Sequence, residues 1–164
     1  MRLYHYLPAK WAFQDLQHRR LKLAVLTDLN DPFELLCFDL PNRETREDFK
    51  KTRAEIASKT GMLCFSRTWK NPVLWSHYAD KHKGICLGFD VPDSLVMPVT
   101  YMATRLPLDP ETTELNLEFA FQWISTKYEG WAYEEEMRVF TPHEIEYLFL
   151  VHRMPRLAVE HPAR

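Results

Sequence analysis

Two short apolar segments constrain the fold more than any other feature. The segments MLCFSR (Met62–Arg67) and ICLGFD (Ile85–Asp90) carry apolar residues at both alternating positions. A strand that is apolar on both faces needs cover on both sides, which is typical of the interior of a sheet packed with helices. The stretches between the strand candidates have helical patterns. We therefore expect an α+β fold: one domain with a mixed, mostly antiparallel sheet of about six strands, packed with helices.

The remaining elements follow from residue alternation, helical spacing and capping residues. In NDPFE, Asp31 is placed to cap a helix, Pro32 suits its first position, and Glu34 falls where it returns a bond to the cap. The predicted strands are 2–6, 21–26, 62–67, 85–90, 96–102, 133–141 and 145–151, the last two as a hairpin. The predicted helices are 8–18, one from Asp31, 43–59, 71–80 and 109–128, and this last one spaces Leu115, Phe119, Trp123 and Lys127 by four residues.

Chain length and terminal composition indicate the domain organisation. The 164 residues correspond to one ordinary domain, which we place at 1–151. The segment 152–164 contains two prolines and no periodicity, so we expect a poorly ordered C-terminal tail.

Charge and motif content exclude several classes of protein. The net charge is −2 and the pI is about 6.4, so no global basic field attracts nucleic acid, although a local basic patch stays open. No apolar run approaches the ~20 residues of a membrane span, and the N-terminus lacks a signal-peptide core. We expect a cytoplasmic protein without a membrane partner. Cys37, Cys64 and Cys86 are expected to be buried free thiols. Dinucleotide-binding, phosphate-loop and hydrolase glycine motifs do not occur in the sequence.

The segment KYEGWAYEEEMRVF (127–140) concentrates titratable groups beside aromatic residues. Read as a strand, it places Glu134, Glu136 and Arg138 on one face. Two carboxylates and a guanidinium would be costly on a buried face, and one carboxylate would have a raised pKa. If the face lines a cleft, Arg138 holds one carboxylate ionised and oriented. The alternative is an exposed edge strand with a weak surface ion pair.

Two further groups are candidates for binding. The predicted helix after Asn71 places Leu74, Trp75 and Tyr78 on one face, which suits either an amphipathic packing surface or an aromatic wall. His5, within LYHY, is either a hydrogen-bonded core histidine or a ligand-binding residue.

Five segments occur in an order that resembles a known family. They are LYHY, NDPFE, CFSR, LWSHYADKHKGICLGFD and WAYEEEMR, from about Met1 to Phe140. In this combination the chain resembles an uncharacterised bacterial family labelled domain of unknown function 2971. Members of that family are usually longer, so the resemblance implies a short or truncated member.

A more distant resemblance supplies a chemical hypothesis. An early strand His, a mid-chain Tyr and a late strand Glu, in this order, are similar to the ADP-ribosyltransferase superfamily. The resemblance implies that His5 binds a ribose hydroxyl of NAD, that Tyr78 stacks on nicotinamide, and that Glu136 stabilises the ribosyl cation. Glu134 would position an acceptor and Arg138 would orient Glu136. Tyr4 and Trp75 would complete the binding site for NAD.

The sequence leaves three functions open. The first is an NAD-dependent ADP-ribosyltransferase or NAD-consuming enzyme, such as a toxin or phage-defence effector, with NAD as substrate and a protein or nucleic acid as acceptor. The second is a non-catalytic module that binds a nucleotide or peptide. The third is a metal-dependent phosphodiesterase built on Asp31, Glu34, Glu134 and Glu136, although no ligand spacing in the sequence predicts a metal site. The oligomeric state is not predicted.

Overall fold

A computed structural model of the chain describes residues 1–25, 29, 31, 35–109, 113, 116–142, 147–149 and 158–160. Within this part the architecture is α+β, as the sequence predicts. The strands are β1 (Arg2–Leu7), β2 (Arg20–Lys22), β3 (Ala24–Val25), β4 (Phe38–Asp39), β5 (Thr60–Ser66), β6 (Ile85–Asp90), β7 (Met97–Pro98), β8 (Thr100–Met102), β9 (Leu106–Pro107), β10 (Thr126–Tyr128), β11 (Glu136–Pro142), β12 (Tyr147–Phe149) and β13 (Ala158–Glu160). The α-helices are α1 (Ala9–His18), α2 (Arg43–Lys59), α3 (Pro72–Tyr78) and α4 (Leu117–Ile124), and two 3₁₀ helices span Asp93–Leu95 and Glu129–Glu134.

The main sheet is antiparallel, with the strand order β13-β6-β1-β5-β11-β7. The central strands β5 and β6 are the two segments that are apolar on both faces. Small two-stranded pairs lie outside this sheet: β8 with β10 and β4 with β9 are parallel, and β2 with β12 is antiparallel.

The sheet is interrupted along one edge of β5, and we call this interruption the split. Strand β11 pairs with the whole of β5, so β1 and β3 share the opposite edge. β1 reaches only Ser66, and β3 reaches only Gly61 and Met62. Among the residues that the structure describes, no strand pairs with the intervening residues of β5 on that edge, and this gap positions the pocket described below.

Three apolar clusters bury the faces of the sheet. One cluster lies around Leu3, Leu63, Phe65 and Leu87, where β1, β5 and β6 meet. The second packs α2 and α4 against β5 around Trp123, whose indole donates to the Leu35 carbonyl. The third packs α3 against β1 and β6 around Leu74, Trp75 and Tyr6.

The N-terminal part of the predicted helix from Asp31 lies outside the described residues, but its continuation is wrong. Leu35 is a turn residue with φ 61°, and Phe38 begins β4. Left-handed backbone cannot continue a right-handed helix, so the buried side chains Leu35 and Phe38 reach the core from a turn and a strand.

Three other predicted elements are corrected by tertiary pairing. The helix predicted over 109–128 is only Leu117–Ile124 where it is described, capped by the Asn116 side chain, and its last predicted turn is β10. The strand predicted at 96–102 is divided into β7 and β8, which join different partners. The predicted hairpin is wrong because β12 pairs with β2, not with β11.

The C-terminal segment contributes at least one strand to the sheet. Of residues 152–164, which we expected to be poorly ordered, Ala158–Glu160 pairs with β6. The other residues of this segment lie outside the described part, and the expectation for them stays a prediction. Among the described residues, no helix has the length and apolar character needed to cross a membrane.

Candidate active site

A pocket of about 400 Å³ opens at the split in the sheet. Its walls include His5 from β1, Tyr78 from α3, and Glu134 and Glu136 from the segment that enters β11. These four residues come from three distant parts of the sequence, and each was a candidate for binding or catalysis on sequence grounds.

The two carboxylates meet by a route that differs from the predicted strand. Glu134 ends the 3₁₀ helix, Glu135 adopts left-handed backbone with φ 46°, and β11 begins only at Glu136. The prediction that Glu134 and Glu136 share a strand face is therefore wrong. Both side chains are nevertheless buried in the same pocket, because the left-handed residue turns the chain between them.

Lys127 joins the two carboxylates. Its Nζ donates to Glu134 Oε2 at 2.7 Å and to Glu136 Oε2 at 3.0 Å. The side chains of Lys127, Glu134 and Glu136 are only 3%, 5% and 6% exposed, so the ion pairs are desolvated. Lys127 Nζ also lies 5.1 Å from the centre of the Trp131 ring. Desolvated charges need this kind of pairing, because the loss of hydration is expensive.

Arg138 holds the Glu136 carboxylate from the side that faces away from the pocket. On β11 the two side chains share a face, as predicted, and Arg138 Nε donates to Glu136 Oε1 at 2.8 Å. Burial opposes ionisation, but the charges of Arg138 and Lys127 lower the pKa of Glu136 to about 2. Glu136 is therefore a fixed carboxylate at neutral pH. Arg138 is fully buried and does not line the pocket, so it positions Glu136 and does not reach a ligand.

Glu134 has the opposite electrostatic character. Burial raises the pKa of the Glu134 carboxyl above its usual value, against the lowering effects of Lys127 and of a hydrogen bond from Tyr78. The Tyr78 hydroxyl donates this short bond to Glu134 Oε1. The neighbouring carboxylates thus differ: one stays ionised, and the other is easier to protonate. Such divergence between paired carboxyl groups is typical of acid–base sites.

His5 is held in one orientation. Its Nδ1 lies 2.8 Å from the carbonyl oxygen of Cys64, on the unpaired part of β5. A carbonyl only accepts, so we assign the proton to Nδ1 and leave Nε2 as an acceptor. Burial lowers the pKa of His5 below 6.5, against the opposing effect of this hydrogen bond. A neutral imidazole therefore lines the pocket near pH 7.

The other predicted binding residues separate into two groups. Tyr4 lines the pocket beside His5. Trp75 does not line it: its side chain is 2% exposed, and its indole nitrogen donates to the Trp69 carbonyl at 2.6 Å. Trp75 lies on the face of α3 that packs against β1, so its ring is part of the core and anchors the helix to the sheet.

Sequence reasoning missed Lys127 and Tyr101. Lys127 was read as the last position of a helix stripe, and a lysine that continues an apolar stripe is itself a signal of a buried, paired charge. Tyr101 accepts a hydrogen bond from the Glu136 backbone amide at 2.8 Å, and this bond fixes the start of β11. Nothing in the spacing of Tyr101 and Glu136 predicts this contact.

The carboxylates do not assemble the metal site of the third sequence hypothesis. In the part of the chain that the structure describes, no group of three His, Cys, Asp or Glu residues is placed to hold a metal ion. Asp31 is buried elsewhere in the fold and does not line this pocket, while Glu34 lies outside the described residues. Between Glu134 and Glu136, the Lys127 ammonium occupies the position that a cation would take.

Comparisons with models of protein families, with curated proteins and with solved structures find no match to this chain. The resemblance to the family labelled domain of unknown function 2971 therefore stays a prediction.

Proposed function

We propose that the pocket binds NAD and cleaves its nicotinamide–ribose bond, transferring the ADP-ribosyl group to water or to an acceptor. The observation that carries this proposal is the pair Glu134 and Glu136, which line one pocket with pKa values shifted in opposite directions. Titratable groups with perturbed pKa values that line a cleft are concentrated at functional sites, which supports this proposal. This function agrees with the distant resemblance to ADP-ribosyltransferases.

The bond cleavage moves positive charge onto the ribose. When the glycosidic bond breaks, its electron pair stays on the nicotinamide nitrogen, and neutral nicotinamide leaves. The ribosyl carbon then carries the developing cation, as in glycoside hydrolysis. Glu136 is the ionised carboxylate that would face this carbon, and Arg138 and Lys127 hold it in place. A preorganised charge stabilises the transition state more than the ground state.

Glu134 provides the second half of the reaction. A water or acceptor hydroxyl that attacks the ribosyl carbon must lose a proton. Burial raises the pKa of Glu134, which brings it closer to the range in which a carboxylate is an effective general base. Lys127 and Tyr78 each donate to this carboxylate, so its orientation is fixed before the acceptor arrives.

The remaining walls suit the reactive half of the nucleotide. The Nε2 acceptor of His5 is suited to a ribose hydroxyl, and the ring of Tyr78 provides a flat apolar surface for nicotinamide. A volume of about 400 Å³ lies in the usual range for small-molecule sites. In a cell, such an activity would deplete NAD or modify an acceptor, as expected of a toxin or defence effector.

The test compares two neighbouring glutamates with the same substitution. Purified protein is incubated with NAD, and nicotinamide release is measured with and without protein and nucleic-acid acceptors. Glu136→Gln should reduce release by about 100-fold or more, because it removes the charge that faces the ribosyl cation. The matched control is Glu135→Gln, since Glu135 is exposed and does not line the pocket. It should stay within about twofold of the wild type.

Two results would overturn the proposal. One is a wild-type protein that releases no nicotinamide with any acceptor. The other is a Glu136→Gln variant, folded by circular dichroism, that retains wild-type release. If Glu136→Gln unfolds, the same assay is run on Glu134→Gln. This second variant keeps the bond between Glu136 and Arg138.

A second candidate function is a non-catalytic nucleotide-binding module. The specific observation in its favour is charge balance: Lys127 and Arg138 already neutralise Glu134 and Glu136. A fully compensated carboxylate pair stabilises a cation less than a lone carboxylate does. This function predicts that NAD raises the melting temperature without any release of nicotinamide.

A further inference from the structure

A second groove carries a concentration of positive charge outside the candidate active site. It has a volume of about 520 Å³ and lies between α2 and the loop that precedes β9. Arg46, Lys50 and Arg53 line it from α2, and Arg105 lines it from the loop. Asp39 is the one carboxylate among its described lining residues, so the groove carries an excess of three positive charges.

The cations of the groove are not neutralised by the acidic residues of the same helix. The ion pairs of α2 are Lys51 with Asp48 and Lys59 with Glu55, and both are exposed away from the groove. Among the described residues, no carboxylate forms an ion pair with Lys50, Arg53 or Arg105. None of the acidic residues of α2 lines the groove, whereas the outer face of the helix carries charges of both signs.

Spacing along the helix indicates an extended anion. Arg46, Lys50 and Arg53 follow each other by four and three residues, which places them along one side of α2. From Arg46 to Arg53 the helix advances by roughly 10 Å. That length exceeds one phosphate group, so the row suits a chain of phosphates better than a single one. Arginine also matches phosphate geometry by bidentate donation.

The groove also has apolar surface that suits bases. Phe49, which is partly exposed, lines it between the cations, and Phe38 and Trp123 form the deeper wall. Rings and guanidinium planes next to a basic track are the combination with which proteins hold single strands. A peptide made of acidic residues alone would use the charges but has no aromatic groups to contact these rings.

One smaller pocket shares lining residues with both the groove and the candidate active site. A smaller pocket of about 300 Å³ shares Leu36 and Arg105 with the groove. The same small pocket shares Lys127 with the pocket that holds Glu134 and Glu136. The three cavities are therefore related by shared lining residues. The groove itself is concave, which suits a flexible single strand better than a double helix, whose phosphates lie on a convex surface.

We propose that the groove of Arg46, Lys50, Arg53 and Arg105 binds the phosphate backbone of a single-stranded nucleic acid. The cations bind consecutive phosphates, and Phe49 contacts a base. Binding at the groove is independent of whether the pocket at the sheet split cleaves NAD.

The test uses fluorescence anisotropy of the full chain with a labelled short thymidine oligonucleotide over a range of salt concentrations. Lys50→Gln/Arg53→Gln should weaken binding by about tenfold and reduce the salt slope by about 1.4, because two phosphate contacts on a single strand are lost. The matched control is Lys51→Gln/Lys59→Gln, which removes the same charge from the outer face of the same helix. It should change the affinity by less than about twofold. Equal thermal midpoints establish that both variants are folded.

Four results would overturn the proposal. They are no binding by the wild type, equal weakening in both double variants, equal affinity for a duplex or for thymidine monophosphate, and equal affinity for a polyglutamate peptide. Because anisotropy requires no turnover, its result is separate from the nicotinamide assay. A chain that binds the oligonucleotide but releases no nicotinamide retains this proposal and loses the other one.

Discussion

Glu136 and Arg138, two residues apart on β11, form an ion pair in which the carboxylate is 6% exposed and the guanidinium is fully buried. Arg138 also donates to the carbonyl oxygen of Ile124, so it ties β11 to the end of α4. The pair fixes the most strongly ionised carboxylate of the pocket, and the first prediction follows from it.

Replacing Arg138 with Met should destabilise the fold strongly. The substitution leaves Glu136 buried with Lys127 as its remaining cation and leaves the Ile124 carbonyl without this donor. Breaking a buried pair costs about 3–5 kcal/mol, measured as the free energy of unfolding in urea. Lys51→Met, at an exposed pair on α2, should leave the urea midpoint unchanged. Equal midpoints for both variants would contradict the structural role of Arg138.

Replacing Gly84 with Ala should destabilise the start of β6. An added Cβ would lie 2.5 Å from the Leu7 carbonyl oxygen and 2.7 Å from backbone atoms of Ala79, and backbone cannot move aside as a flexible side chain can. We expect a loss of about 1–3 kcal/mol or more in thermal or urea unfolding. Gly130→Ala is the control, because its added Cβ would meet only the Tyr128 ring, which is about half exposed. A loss larger than about 0.5 kcal/mol at Gly130 would be unexpected.

His5 should make the protein less stable in mild acid. Burial lowers the pKa of His5 below 6.5, so just below that pH the unfolded chain binds more protons at this group than the folded chain does. The free energy of unfolding therefore falls as pH decreases, by at most about 1.4 kcal/mol per pH unit from this group. His5→Gln should remove this contribution, so its stability curve should be flatter than that of the wild type as the pH falls below about 6.5. Parallel curves over that range would contradict the prediction.

Tyr78→Phe should separate binding from proton transfer. The variant keeps the ring but loses the hydroxyl that donates to Glu134, and that hydrogen bond lowers the pKa of Glu134. Without it the pKa rises further, so the acidic limb of the kcat profile for nicotinamide release should move to higher pH while KM stays near the wild-type value. Tyr78→Leu, which removes the ring, should raise KM. An unshifted profile for Tyr78→Phe with a raised KM would assign Tyr78 to binding alone.

The elements that the sequence predicted well are governed by local physics. Helix α2 has the predicted bounds, because the Asn42 side chain accepts from the Thr45 amide and fixes its start. The strands β5 and β6 could be predicted from the sequence, because a segment that is apolar on both faces has few places to lie other than the interior of a sheet. The partnership of Glu136 with Arg138 also followed from strand alternation alone.

The parts that were not predicted depend on contacts between distant residues. Helix α4 ends at Ile124, and β10 begins two residues later and pairs with β8. This change from helix to strand is what brings Lys127 to Glu134 and Glu136. The incomplete coverage of β5 by β1 and β3, which opens the pocket, leaves no periodic signal in any one segment. The cationic side of α2 was read as solvated because its sequence mixes both charges, and only the fold shows which face borders a groove.

Glu135 limits how this site can vary among related chains. A side chain with a branched β-carbon tolerates a φ of 46° poorly, whereas glycine and asparagine accept it readily. A homologue could therefore keep both flanking glutamates and still lose their convergence if valine or isoleucine stood between them. In a search for relatives, the identity of the middle residue should be as informative as the acids on either side of it.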